Sequence, residues 1–88
     1  MQSEDTLLSF PCDFPVKVMG LASPDFDSFV VGLIRKHSPD LHEGAVQTRF
    51  SQGGRYMAVT VTIQAQSRAQ LDDIYRDLTA DDRVLVAL

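Results

Sequence analysis

The chain has no tryptophan, one cysteine, and only eight lysines and arginines against twelve aspartates and glutamates. Each scarcity closes a route. A lone Cys12 allows no intrachain disulfide, so packing must hold the fold and the chain suits a reducing compartment. A formal net charge of -4, with its cations scattered, offers no basic stripe to displace counterions from phosphates, which argues against a nucleic-acid partner. No stretch approaches the ~20 apolar residues of a membrane span, and the acidic start MQSEDTLLSF is a poor signal peptide. A cytoplasmic protein without membrane contact is therefore expected. Repeats, linkers and low-complexity segments are missing as well.

What remains is a changing hydrophobic rhythm within 88 residues, a length that suits one domain. Residues 1–11 lack a sustained period and read as a flexible N-terminal tail, anchored through Leu7, Leu8 or Phe10. Residues 12–88 read as a single domain. Phe14, Val16 and Val18 alternate with Pro15, Lys17 and Met19 as a first strand, closed by Gly20. Ser23-Pro24-Asp25 then carries helix-start chemistry: a capping oxygen, a first-turn proline and an acid for the dipole. Phe26, Phe29, Val30, Leu33, Ile34 and His37 fall on one helical stripe, and Pro39 stops the helix.

A short polar strand, Val46 to Phe50, has the composition of a sheet edge. Gly53-Gly54 supplies the positive φ of a hairpin turn. Tyr56 to Ala65 follows as the strongest strand, with Val59, Val61 and Ile63 on the core side and Thr60 and Thr62 opposite. Ser67-Arg68-Ala69-Gln70 matches a capping box, and Leu71, Ile74, Tyr75 and Leu78 form the second helical stripe. The last strand is read with Val84, Val86 and Leu88 inward and Leu85 and Ala87 outward. The order βαββαβ predicts an α+β, ferredoxin-like sandwich: a four-stranded antiparallel sheet, order 4-1-3-2, with both helices on one face. The other face, with Lys17, Met19, Ala58, Thr60, Thr62, Leu85 and Ala87, is expected to carry few charges.

The segments FPCDFPVKVMG (10–20), RKHSPD (35–40), GGRYMAVTVTIQA (53–65) and the terminal RVLVAL resemble those of the small bacterial YbeD-type proteins, sometimes labelled lipoate regulatory proteins. The resemblance covers nearly the whole chain after the tail. It implies a fold similar to the small-molecule-binding regulatory (ACT) domain of phosphoglycerate dehydrogenase, and it implies no reaction. These segments bear the fold, so no functional residue is carried over.

The residues that could carry chemistry lack companions. His37 could titrate near neutrality, but His42 stands across Pro39 and no carboxylate joins them at metal spacing, so His37 reads as a structural or capping histidine. Cys12 beside Pro11 would need a base and an electropositive setting to act as a nucleophile, and it reads as a partly buried small side chain. Asp72, Asp73 and Asp77 read as a solvated helix face, and Gly53-Gly54-Arg55 joins two strands where a phosphate loop would precede a helix. One turn keeps a ligand-binding reading: Gly20, Leu21, Ala22, Ser23 and Asp25, where backbone could approach a small metabolite beside a helix start. No catalytic residue, metal site or cofactor is expected. The preferred function is a non-enzymatic regulatory or adaptor module that forms a homodimer, through an edge strand or the open sheet face, and acts by protein binding. The alternatives are an amino-acid or metabolite sensor and, further off, a small enzyme centred on His37.

Overall fold

The computed structural model describes residues 9–88. Leu7, Leu8 and most of the expected tail therefore lie outside the described residues, whereas Phe10 packs against the core. Strand β1 (Cys12–Leu21) leads to helix α1 (Phe26–Arg35), a 3-10 turn at Glu43–Ala45, strand β2 (Val46–Phe50), strand β3 (Tyr56–Ala65), helix α2 (Arg68–Thr79) and strand β4 (Val86–Ala87). All pairings are antiparallel, and the sheet order β2-β3-β1-β4 is the expected 4-1-3-2 read from the other edge. The fold is ferredoxin-like.

Period-two alternation sets the central register. Val16 pairs with Val61 and Val18 with Val59, and all four are fully buried. Thr60 and Thr62 point the other way, as a one-residue slip would have forbidden. Above this apolar face lie Phe26, Val30 and Ile34 of α1 and Leu71, Ile74 and Leu78 of α2, joined with the sheet into one cluster. The hairpin between β2 and β3 turns on Gly53 and Gly54, at φ 87° and 76°, a region costly for any side chain with a Cβ. At the start of α2, Ser67 Oγ accepts from the Gln70 amide (3.0 Å), while Gln70 Oε1 accepts from the Gln66 amide (2.7 Å). The capping box is thus closed one residue further back than its usual form.

Three expectations need correction. The last strand has only two residues, and its pairing of Ala87 with Val18 and Val86 with Met19 turns Ala87 toward the core and Val86 toward the open face. Val86 and Leu88 are exposed, while Val84 is half-buried. The run Val84 to Leu88 is apolar at every position, so alternation has no contrast from which to tell inside from outside. Second, α1 begins without the expected side-chain cap: Asp25 holds the N-cap position, but its carboxylate is engaged elsewhere. Third, the sheet face that was expected to be weakly charged bears Lys17 on the inner strand β1 and Arg49 on the edge strand β2.

Candidate functional site

The turn from β1 into α1 is occupied by the protein itself. A Cβ on Gly20 would lie 2.4 Å from the Arg83 carbonyl oxygen and 2.6 Å from the tip of the Phe26 ring, so the glycine admits these two groups and leaves no room above its own backbone. Ser23 and Asp25 face Arg83 as well. The guanidinium donates to Asp25 Oδ1 (2.9 Å), Asp25 Oδ2 (3.2 Å) and Ser23 Oγ (3.0 Å), and its Cζ lies 4.6 Å from the centroid of the Phe29 ring. Leu21 is exposed and Ala22 half-buried. Of the five residues assigned to a ligand from sequence, Gly20, Ser23 and Asp25 thus form a clasp that ties this turn to the segment before β4 through Arg83. From the sequence Arg83 reads as a member of the last strand, alternating with Val84, and nothing in that pattern points to a partner 58 positions away.

The clasp has an acid signature. The Arg83 hydrogen bonds, and then that of Ser23, hold the Asp25 carboxyl below its ordinary value of 3.8. A lowered folded-state pKa gives stability that is present above the unfolded value and lost as the pH falls through the folded one. Asp25→Asn should therefore unfold more readily than the natural chain in urea at neutral pH, and the gap should close in acid below the ordinary carboxylate range. A gap that persists unchanged there would mean the pair contributes nothing through ionisation.

His37 has a partner that the sequence reading did not find. Its Nε2 donates to Asp77 Oδ2 at 2.6 Å, and its carbonyl accepts from Gln70 Nε2 at 2.8 Å. Asp77 therefore departs from the solvated-face expectation: it is half-buried and fastens α2 to the end of α1. Asp72 and Asp73 do lie on the helix surface, in weak pairs with Arg68 and Arg76. Cys12 is half-buried in β1 against the core, with a free thiol. Among the described residues, no three His, Cys, Asp or Glu side chains gather closely enough to hold a metal ion, and no helix is long and apolar enough to cross a membrane.

The surface with the most distinctive composition is the sheet face opposite the helices. Register places Gln47, Thr60 and Lys17 in one row across β2, β3 and β1, and Arg49, Ala58, Met19 and Val86 in the next. Beyond them Leu21, at 56% exposure, pairs with Tyr56. Two shallow depressions of about 220 and 160 Å3 open here, and both are bordered by Lys17, Arg49 and Ala58. Among the described residues neither Lys17 nor Arg49 has an ion-pair partner. Arg55 adds a third cation beside Tyr56, 5.8 Å from its ring centroid. Helices α1 and α2 carry four acids, Asp27, Asp72, Asp73 and Asp77, against three bases, Arg35, Arg68 and Arg76.

Residues 5–88 match the model of a family described as a protein of unknown function (DUF493). The chain is 46% identical over 84 residues to a UPF0250 protein of Paraburkholderia phytofirmans, covering 96% of this chain and 94% of that one. It is 40% identical over 87 residues to a UPF0250 protein of Neisseria gonorrhoeae, covering 99% and 96%. Among solved structures, the solution structure of protein HP0495 from H. pylori superimposes with a TM-score of 0.70, at 13% identity, over 92% of this chain and 85% of that one. At that identity the likeness is one of fold.

Proposed function

The chain belongs to the DUF493 family, the YbeD-like UPF0250 proteins, and from that premise we propose that it is a non-enzymatic adaptor or regulatory module that binds a partner protein on its open sheet face. One observation carries the reading: exposed apolar side chains share a face with two cations, and among the described residues those cations have no ion-pair partner and no helix covers the face. Leu21, Tyr56, Val86 and Leu88 supply apolar area there, and Lys17 and Arg49 supply charge with no ion-pair partner among the described residues. The complement is an acidic polypeptide segment that also presents apolar side chains. Burying the apolar part favours association, while the charges select the partner and its orientation.

A photo-crosslinking residue at Thr60, in the middle of the face, should capture one partner of defined mass in the native cell. The same residue at Asp72, on the far side of the molecule, should not. Acidic composition of the captured segment, with capture falling as salt is raised, is the expected result. Equal capture at both positions, or a basic captured segment, would overturn the assignment of the face.

A further inference from the structure

We infer that a second copy of this chain docks along the outer edge of β2 and the groove beside it, about a two-fold axis passing Thr48 and Val31. The groove, about 430 Å3, runs between α1 and β2. Its helical wall is formed by Asp27, Ser28, Val31, Gly32 and Arg35, spaced so that they share one helix face. Val46 and Thr48 form its floor at the sheet edge. The wall is open at its middle, since a Cβ on Gly32 would meet nothing within 4 Å. Among the described residues β2 pairs only with β3, so its other side presents main-chain groups able to extend the sheet.

The arrangement is self-complementary in the sense a two-fold interface demands, where residue i meets j and j meets i. On α1 an acid, Asp27, and a base, Arg35, lie equally far on either side of Val31. On β2, Val46 and Phe50 lie equally far on either side of Thr48. Because Val31 and Thr48 line the same groove, one axis serves both elements. Antiparallel pairing of β2 with its copy then sets Val46 opposite Phe50, Thr48 opposite Thr48 and Gln47 opposite Arg49. No like charges stand directly across the ladder. Phe50, at 59% exposure, gains an apolar neighbour. Along the helices, Asp27 of each copy faces Arg35 of the other, with Glu43 lining the groove as a further charged group. The competing arrangements fit less well. A two-fold contact through the open sheet face would set a surface bearing Lys17 and Arg49 against a copy bearing the same cations, and the β4 edge has only two residues to pair. Edge pairing also leaves the open face free, so this inference does not depend on the function proposed above.

Sedimentation equilibrium at micromolar concentration should give a dimer. Asp27→Arg and Arg35→Asp should each weaken it by ~10-fold or more through like-charge contact, and the double variant should recover it, because the exchange restores both pairs across the axis. Arg35 also donates to the Leu41 carbonyl (3.3 Å), so its loss could disturb the fold without touching an interface. Position-specific crosslinking guards against that. In a Cys12→Ser background, Thr48→Cys should link to its own copy under oxidation. Gln47→Cys and Arg49→Cys should link only when the two variants are mixed. A monomeric natural chain, or Gln47→Cys linking to itself in preference to Thr48→Cys, would overturn the axis.

Discussion

Phe26→Ala should lower the unfolding free energy by about 3–5 kcal/mol, a large share of the ~5–15 kcal/mol that holds a small domain together. The ring is 1% exposed, stands at the start of α1, and touches the backbone of β1 at Gly20. Its removal leaves a cavity between helix and sheet. Gly20→Ala attacks the same contact from the other side, because its Cβ would overlap both the Phe26 ring and the Arg83 carbonyl oxygen. Overpacking of that kind costs about 1–3 kcal/mol. The two should couple: deleting the ring frees part of the space the new methyl needs, so the double variant should be more stable than the sum of the single losses. The Arg83 carbonyl belongs to the backbone and stays in the way, so the rescue should be partial. Urea melts of the four proteins decide this. Strict additivity would show that the close approach at Gly20 is relieved by backbone movement.

Reversing both cations of the open face, as Lys17→Glu with Arg49→Glu, should weaken partner binding by ~100-fold or more, since like charges set against each other cost several kcal/mol. Both side chains are exposed and neither has an ion-pair partner among the described residues, so the melting temperature should stay nearly unchanged. That combination distinguishes a recognition role from a structural one. Titration of the captured partner against the natural and reversed chains gives the first number, and thermal unfolding gives the second. Unchanged affinity would remove the sheet face from the binding reaction.

The architecture was legible in the sequence because each main element carries an unambiguous period. Val59, Val61 and Ile63 alternate with polar or small residues, and the α1 stripe keeps its charges off one side, so a single arrangement buries both. The last strand was not legible, because Val84 to Leu88 is apolar throughout and only pairing with β1 assigns its faces. The clasp at Gly20 and Asp25 was half legible. Glycine, serine and aspartate before a helix announce a special turn, but a ligand and a distant side chain would ask for the same residues.

Composition, periodicity and turn chemistry by themselves determined the order of the elements, the residues beneath the helices and the edge position of β2. These are properties of neighbours along the chain, governed by local sterics and by which face of an element is apolar. Tertiary structure decided which charges meet. Arg83 reaches Asp25 across 58 positions, His37 reaches Asp77 across 40, and Lys17 and Arg49 reach the same face with no ion-pair partner among the described residues. Such pairings depend on how strands and helices are laid side by side, and no period along the chain records them.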